Sequence, residues 1–367
     1  METLTGIRKI AVLKATALGD FLATLPALYA LRDTYPDAEI VYLGRPLHKA
    51  LVEGRPSPID RVEVVPISHG VRVEPDDPDR PEDKAELDAF FARMQAERFD
   101  LAIQMHGGGA NSNPFVKRLG ARITVGLKAP DAPELDRWIP YVVYQHEFMR
   151  LIELMRLVGA TPCSFEPHFP IVDGDLTELN ERLPEITSRY VVLHPGASDM
   201  RRRWLPERFA QVGDALAQQG FQVVITGVGS ESDVIDSVIH HMHAPAINTC
   251  QRLTLGGLAA LLACADLVVS NDTGPLHLAD AVGTPNVGIF WCGNYLNWSH
   301  FTRSRHRPLA SWTVHCPLCG ADMSVTDPPR DVCRHETCFV DGVSVDDVLT
   351  ASYELLDYAE RFGRRAS

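Results

Sequence analysis

The sequence lacks an apolar run of about 18 residues, the length that a membrane-spanning helix needs. Its first residues carry neither the basic nor the apolar region of a secretory signal peptide, so we expect a cytoplasmic protein. Positive charge is also scarce: the formal net charge is −13 over 367 residues, which argues against nucleic acid as a partner. The eight cysteines are too few to form a disulfide scaffold in a chain of this length.

The composition is that of a globular protein, with 45% hydrophobic and 23% charged residues. A chain of this length is too long for one ordinary core, so two domains are expected. Part of the negative charge is concentrated between Glu74 and Asp88, where prolines separate the acidic residues. Such a stretch is typical of an exposed acidic loop that runs into a helix.

Short apolar runs alternate with helical patterns in both halves of the chain, which predicts an α/β fold built from parallel βαβ units. A stretch rich in proline and turn residues, 161–176, interrupts this alternation. We therefore predict two Rossmann-like domains that face each other across a cleft. The expected bounds are 1–178 for the first domain, 179–343 for the second and 344–367 for a terminal helix that packs back. The predicted strands are 10–13, 40–43, 62–65, 101–105, 123–126, 190–193, 222–226, 267–269 and 286–290.

Polar loops follow four of these strands, at the edge where open α/β sheets bind ligands. The first loop, 14–20, ends with Asp20 at a predicted helix start, where the carboxylate is either a plain N-cap or a functional group. The second loop ends with Ser198 and is followed by three arginines, 201–203. Three arginines after a small-residue loop suit a diphosphate, and a solvated basic turn is the alternative.

The third loop, 227–233, begins like a dinucleotide-binding fingerprint, but Ser232 occupies the place of the third glycine. Its carboxylate, Glu231, is a candidate to bind a ribose hydroxyl. A tight turn is the alternative interpretation of this loop.

The fourth loop, 270–277, leads from a buried strand into a helix that Asp272 or Thr273 would cap and whose first turn suits Pro275. The N–H groups and the positive dipole at such a helix start attract an anion. This segment therefore predicts a phosphate site with a carboxylate and the imidazole of His277 beside it. An ordinary capped helix is the alternative.

The chain resembles glycosyltransferase family 9, the ADP-heptose:lipopolysaccharide heptosyltransferases and their relatives. The matching segments occur in the family's order over nearly the whole chain; they are 17–20 with Leu25-Pro26, 194–198 with 202–204 and 206–209, and 270–275 with His277. The resemblance implies a GT-B fold and an inverting reaction. It also implies a nucleotide diphosphate sugar donor, with ADP-heptose expected, and an acceptor in the lipopolysaccharide core or another cell-surface glycan.

The same resemblance assigns roles to single residues. Asp20 matches the catalytic base, and Arg202 stands where the family has a lysine that contacts the donor phosphates. The expected contacts to the donor sugar and phosphates come from Asp272, Thr273, Gly274 and His277. The sequence departs from the family at Arg202, which adds a planar guanidinium. A second departure is the segment 105–109, Met-His-Gly-Gly-Gly, which stands where many relatives carry a Gln-Gly pair, so the acceptor side differs.

The implied chemistry suits these residue types. A sugar hydroxyl attacks the anomeric carbon while the diphosphate leaves from the opposite face, and a general base contributes about 10²–10⁴-fold to such a step. Arg202, the helix start at 273–276 and Ser198 would stabilise the leaving diphosphate. No Asp-x-Asp metal motif follows a predicted strand, so no catalytic metal or other cofactor is expected.

Two cysteine pairs occur near the carboxyl end, Cys316 with Cys319 and Cys333 with Cys338. These four residues are candidate ligands of a structural zinc, with His335 as a spare ligand. Because the second pair is looser than a Cys-x-x-Cys knuckle, four reduced thiols without metal are the alternative.

Two other functional classes compete with a transferase. A nucleotide-cofactor oxidoreductase predicts an early fingerprint with an intact third glycine, and the sequence has neither. A catalytically silent glycan-binding homologue would have no reason to keep Asp20, Arg202 and Asp272 together. Peripheral contact with the cytoplasmic face of the inner membrane is a further prediction, based on Arg361, Arg364 and Arg365 and on the arginines at 201–203. A solvated helix end is the alternative for the first three.

Overall fold

The structure, a computed structural model, describes residues 2–74, 77, 79–323 and 333–362. It is an α/β protein that divides into two compact units, Met1–Pro167 and His168–Ser367. Three residues of the predicted acidic loop, Pro75, Asp76 and Pro78, lie outside the described residues, as do Arg364 and Arg365. No helix in the described ranges combines the length and the apolar character that crossing a membrane requires.

The first unit is built on a six-stranded parallel sheet with the order β3-β2-β1-β4-β5-β6. Its strands are β1 (Lys9–Leu13), β2 (Glu39–Gly44), β3 (Arg61–Val64), β4 (Leu101–Gln104), β5 (Ile123–Lys128) and β6 (Arg137–Pro140). Its helices are α1 (Leu18–Thr34), α2 (Pro46–Val52), α3 (Lys84–Ala96), α4 (Ser112–Arg118) and α5 (Glu147–Met155).

The second unit repeats this architecture with the strand order β12-β11-β10-β7-β8-β9. Its strands are β7 (Tyr190–His194), β8 (Gln222–Ile225), β9 (Ala246–Asn248), β10 (Leu267–Asn271), β11 (Asn286–Trp291) and β12 (His306–Ser311). Its helices are α6 (Asp173–Arg182), α7 (Pro206–Gln218), α8 (Ser232–His241), α9 (Leu255–Cys264), α10 (Gly274–Ala281), α11 (Cys292–Trp298) and α12 (Val345–Phe362). The last helix, α12, packs against α7 and the strands β10 to β12 of this unit.

Both sheets have the Rossmann strand order, in which the chain direction across the sheet reverses beside the first strand. The reversal lies between β1 and β4 in the first unit and between β7 and β10 in the second. The central strands are buried along their length because helices cover both faces, so they appear in the sequence as continuous apolar runs. The prediction of two Rossmann-like domains is confirmed.

The structure differs from the predicted elements at the sheet edges and near the division of the chain. The strands β6, β9 and β12 were not predicted. Helix α5 ends at Met155, and a 3₁₀ turn, Arg156–Val158, follows it before the chain divides. The chain divides ahead of α6, which packs on α9 in the second unit, where Glu178 accepts a hydrogen bond from the Thr254 amide.

Candidate functional site

The switch point of the first unit carries Asp20. The loop after β1 enters α1 with Ala17 at the N-cap position, so Asp20 lies in the first turn and is not the cap. A carboxylate in the first turn is stabilised by the helix dipole. Its side chain is 27% exposed, which leaves it accessible to a ligand.

A buried chain of ion pairs lies behind Asp20. Lys14 Nζ lies 3.3 Å from Asp20 Oδ1 and donates a 2.6 Å hydrogen bond to Glu147 Oε1, and Glu147 in turn pairs with Arg150. Lys14, Glu147 and Arg150 are all buried. Burial alone would lower the pKa of Lys14, but the carboxylates of Glu147 and Asp20 outweigh it and raise that pKa above its ordinary value. Lys14, Glu147 and Arg150 together carry one net positive charge, which the carboxylate of Asp20 balances.

His106 joins this site from the loop after β4, the neighbouring strand. Its Nδ1 accepts a 3.2 Å hydrogen bond from the Ala15 amide. Burial, assisted by the charge of Lys14, lowers the pKa of His106 to about 4, so the ring is neutral at pH 7. Gln104 fixes the loop because its amide donates to the carbonyls of His106 and Gly107. The segment 105–109 therefore lies directly beside the Asp20 loop.

In the second unit, Asn271 connects the two loops at the switch point. Its Nδ2 donates a 2.8 Å hydrogen bond to Pro195 O, after β7, and its Oδ1 accepts one from the Trp204 amide. Trp204 is fully buried and donates its indole N–H to Val343 O. Arg203 Nε donates to Ala197 O at 2.8 Å. These hydrogen bonds tie the two loops to one another.

Arg202 lies where these two loops meet. One of its guanidinium nitrogens donates to Ser198 Oγ at 3.2 Å, and the other donates to the Asp272 carbonyl at 3.2 Å and lies 3.5 Å from Asp272 Oδ2. Its side chain is 22% exposed. The structure thus brings Arg202 and Ser198 together with Asp272, which lies 70 residues beyond Arg202 in the sequence.

The other two arginines of this segment do not form a loose basic patch. Arg201 makes an ion pair with Asp199, and Arg203 contacts Ala197 as described. All three arginines are half-buried. The lipid-facing role predicted for 201–203 therefore has no support in this geometry, since the side chains are used within the unit.

The carboxylate of Asp272 is turned inward and does not cap α10. It accepts a 2.6 Å hydrogen bond from Asn294 Nδ2, and its Oδ1 lies 3.3 Å from His277 Nε2. Burial raises the pKa of Asp272, but His277, Arg202 and Asn294 outweigh that effect and hold the pKa below its ordinary value. Thr273 has the N-cap position without a side-chain cap, and Gly274 begins the helix. The positive end of α10 therefore lies next to an ionised, buried carboxylate.

Glu231 lies at the same edge of the sheet, against the loop after β7. A methyl group on Gly196 would lie 2.1 Å from Glu231 Oε1, so only glycine leaves room for this carboxylate. Glu231 Oε2 accepts a hydrogen bond from the Val228 amide at 3.0 Å. Burial lowers the pKa of the adjacent His194, whose Nδ1 donates to Thr226 O. Glu231 is therefore a fixed acceptor beside the second loop.

The cysteine cluster differs from the predicted ligand set in its fourth member. Cys316, Cys319 and Cys333 come together with His335, and their ligand atoms all lie within 4.8 Å of one another. Cys338 is not in this group and packs against the apolar core of the second unit. The next residue, Phe339, donates a backbone hydrogen bond to Arg201 O, which fixes the chain there. The spacing of His335, two residues after Cys333, was the available signal for the fourth ligand.

Sequence reasoning missed four residues of these sites: Lys14, His106, Glu147 and Asn294. Asn294 follows β11, which pairs with β10, so its place after a strand at the ligand-binding edge was a usable signal. Glu147 has no such signal, because it reaches Lys14 from a helix that is distant in sequence.

Comparison with known proteins decides the family. The model of glycosyltransferase family 9 (heptosyltransferase) matches residues 88–307, which is more than half of the chain. The chain belongs to this family. The lipopolysaccharide core heptosyltransferase OpsX of Haemophilus influenzae is 20% identical over 298 residues, which cover 77% of this chain and 79% of that protein.

Solved structures of the family have the same fold. The family 9 glycosyltransferase of Veillonella parvula aligns with a TM-score of 0.76 at 21% identity, covering 95% of this chain and 97% of that one. Escherichia coli heptosyltransferase WaaC with ADP aligns with a TM-score of 0.64 at 19% identity, covering 96% and 100%. The fold is GT-B, as predicted, and the protein is a glycosyltransferase.

Proposed function

We propose that this glycosyltransferase moves a heptose or a related sugar from an ADP-sugar to the lipopolysaccharide core or another cell-surface glycan, with inversion at the anomeric carbon. The observation that carries the proposal is the cluster of Arg202, Ser198 and Asp272 at the start of α10. It combines a guanidinium, a hydroxyl and a helix start on one side of a parallel sheet, as binding of a diphosphate requires.

On the donor side, Arg202 and the N–H groups at the start of α10 neutralise the leaving diphosphate. Asp272 accepts hydrogen bonds from the donor sugar with His277 beside it, and Thr273 and Gly274 contact the phosphates. Glu231 accepts a hydrogen bond from a ribose hydroxyl, since its carboxylate is fixed beside the second loop. The positive charge for the leaving group comes from the protein, so the transfer step is proposed to be metal-independent.

On the acceptor side, Asp20 removes the proton from the attacking hydroxyl. The buried Lys14 keeps this carboxylate in one orientation, which a general base needs because proton transfer depends on geometry first. The loop around His106 lines the same switch point, and we propose that it contributes to the choice of acceptor.

The acceptor class implies where the enzyme works. Because a lipopolysaccharide core is built on a lipid, we propose that the protein acts at the cytoplasmic face of the inner membrane through peripheral contact. Of the terminal arginines predicted to make this contact, Arg361 lies within the described residues, at the exposed end of α12.

We further propose that Cys316, Cys319, Cys333 and His335 hold a structural metal. Cys319 Sγ and Cys333 Sγ are 3.6 Å apart, and His335 Nδ1 lies 3.5 Å from Cys316 Sγ and from Cys333 Sγ. A tetrahedral centre with metal–sulfur bonds of about 2.3 Å separates its ligand atoms by about 3.5–3.8 Å. The residues therefore fit zinc, or iron in a site of the same kind. The metal would join the turn at 316–319 to the segment at 333–335.

The first experiment is a donor screen by calorimetry on the full chain, with ADP, UDP, GDP and NAD. We expect selective binding of ADP that weakens about tenfold or more in Asp272→Ala, because the phosphate cluster loses its organising carboxylate. Asp214→Ala, which removes an Asp–His pair elsewhere in the same unit, should bind ADP normally.

Each other result has a defined meaning. Binding of NAD without ADP would refute the transferase site and favour an oxidoreductase. Preference for UDP or GDP would refute ADP-heptose as the donor. A transfer assay with ADP-heptose and truncated core acceptors completes the test: wild type should transfer and Asp20→Asn should not, with equal ADP affinity. ADP binding without transfer to any acceptor would favour a silent homologue.

A further inference from the structure

A buried chain of polar side chains runs inward from Asp272 and His277, and its inner members, His300, Asp280 and His306, have no part in the function described so far. His277 Nε2 faces Asp272 Oδ1 at 3.3 Å, and His277 Nδ1 faces His300 Nε2 at 3.2 Å. His300 Nε2 also lies 3.6 Å from Asp280 Oδ2, and Asp280 Oδ1 lies 2.5 Å from His306 Nε2. All five side chains are at most 5% exposed.

The local fold explains how this chain is assembled. His277 and Asp280 are three residues apart on α10, so both side chains lie on one face of that helix. His300 follows α11, and His306 begins β12 at the edge of the sheet. Three separate elements therefore converge behind the start of α10, with Asp272 at one end.

The spacing between Asp280 and His306 is too short for two ligands that share one metal ion. A divalent metal holds nitrogen and oxygen ligands at about 2.0–2.2 Å, which keeps the ligand atoms about 3 Å or more apart. Asp280 Oδ1 and His306 Nε2 are closer than that, and His300 Nε2 faces another imidazole nitrogen. The cysteine cluster, by contrast, has the wider spacing of a coordination site.

The charges decide which nitrogens carry protons. Burial raises the pKa of Asp280, but His300, His306 and Arg305 outweigh it and hold that pKa well below its usual range, so Asp280 is an anion. Burial lowers the pKa of His300 to about 3, so that ring is neutral and has a single N–H. An anionic Asp280 favours the tautomer with this proton on Nε2, which faces it.

The tautomer of His300 in turn fixes that of His277. When His300 Nε2 carries its proton, His277 Nδ1 must accept, and the N–H of a neutral His277 is then on Nε2, directed at Asp272 Oδ1. We infer that Asp280 is a positioning residue for the donor site: acting through His300, it fixes the tautomer of His277 that donates to Asp272. The inference rests on the proposed function in that Asp272 is taken as a donor contact.

The test replaces Asp280 with its isostere. In Asp280→Asn, an amide N–H directed at His300 favours a proton-free Nε2 on that ring. His277 must then carry its proton on Nδ1 and turn a lone pair toward Asp272. We expect ¹⁵N shifts of histidine-labelled full chain to show His277 with its proton on Nε2 in wild type and shifted to Nδ1 in Asp280→Asn. A merely structural role of Asp280 would not change this readout.

Binding gives a second readout. We expect the Kd for ADP to rise about tenfold or more in Asp280→Asn and to stay within about twofold in the control Asp214→Asn. A doubly protonated His277 in wild type, or an unchanged tautomer in Asp280→Asn, would overturn the inference. Unchanged ADP affinity in Asp280→Asn would also overturn the inference, provided that Asp272→Ala binds ADP weakly. If Asp272→Ala also binds ADP normally, the proposed function is refuted instead. The His277 tautomer in Asp280→Asn then decides by itself whether Asp280 positions His277.

A second pair of variants covers the case in which Asp280→Asn does not fold. In His300→Gln, the amide can still donate to His277 Nδ1, whereas His300→Phe keeps the ring shape without a donor. We expect His300→Gln to retain the wild-type ADP affinity, and His300→Phe to bind ADP more weakly because His277 Nδ1 loses its donor and the ring its fixed orientation. Equal behaviour of the two variants would refute the role of this hydrogen bond.

Discussion

Replacing Lys14 by methionine tests whether the buried ion pairs in the first unit hold Asp20, the proposed catalytic base. Lys14 Nζ lies between the carboxylates of Asp20 and Glu147 and is almost completely buried. Methionine preserves most of the aliphatic volume but removes the charge and the hydrogen bonds. Asp20 then loses its buried partner, whereas Glu147 still pairs with Arg150.

The expected loss of stability follows from that remaining pair. Breaking a buried ion pair costs about 3–5 kcal/mol when it leaves a charge alone, and a hydrogen bond to a charged group contributes about 1.5–3 kcal/mol. Because Arg150 still neutralises Glu147, we expect a loss of about 2–3 kcal/mol in the free energy of unfolding. Urea denaturation measures this value.

The expected loss of activity is larger than the structural change suggests. A general base contributes about 10²–10⁴-fold, and part of that depends on orientation, so we expect kcat to fall about 10–100-fold in Lys14→Met. ADP affinity should stay within about twofold, because the donor contacts come from the second unit. Transfer would therefore be lost while donor binding is retained.

The same strand offers a matched control. Lys9, at the other end of β1, also lies between two carboxylates, Glu39 and Glu97, but it is 29% exposed. Since exposed ion pairs contribute about 0–1 kcal/mol, Lys9→Met should cost little stability and leave kcat unchanged. If Lys14→Met lowers kcat no more than Lys9→Met does, Lys14 does not position Asp20 and our interpretation of the site is wrong.

Two further predictions concern metal and pH. Metal analysis of the purified full chain should find about one zinc or iron per molecule; Cys319→Ser should lose it and Cys338→Ser should keep it, and equal loss would exclude the ligand set that includes His335. Burial lowers the pKa of His48 to about 3 and that of His106 to about 4. Both rings take up protons near pH 6.5 only when unfolded, so stability is full above about pH 6.5 and falls by about 2 kcal/mol per ring by pH 5. His48→Gln should flatten that slope, and an unchanged slope would contradict the assignment.

The sequence predicted the fold because buried parallel strands leave a direct signal. Strands such as β7 and β10 are apolar throughout, since helices cover both faces of the sheet. The missed strands lie away from the sheet centres: β6 is partly exposed, and β9 has three residues, none of them fully buried. A short strand at an edge alternates too little to be distinguished from a loop.

The candidate site residues were predictable where they directly follow a central strand of the sheet. Asp20, Arg202 and Asp272 follow central strands, and the ends of such strands meet at one edge of each sheet. The orientation of Asp272 was not predictable. A carboxylate before a helix usually caps it, but this one turns inward because Asn294 and His277 offer it stronger partners. Contacts between residues distant in the chain decide such a choice.

The two units orient a carboxylate at the switch point in the same way. Each has a candidate site carboxylate, Asp20 or Asp272, beside the start of a helix at the switch point of its sheet, where the helix dipole favours negative charge. In each, buried polar or ionised side chains extend behind that carboxylate: Lys14 and Glu147 behind Asp20, and His277 and Asp280 behind Asp272. A lone carboxylate on a loop would sample several orientations and reorient as charge develops in the reaction. A carboxylate held by buried partners is already oriented, which is the condition under which electrostatic groups lower a reaction barrier.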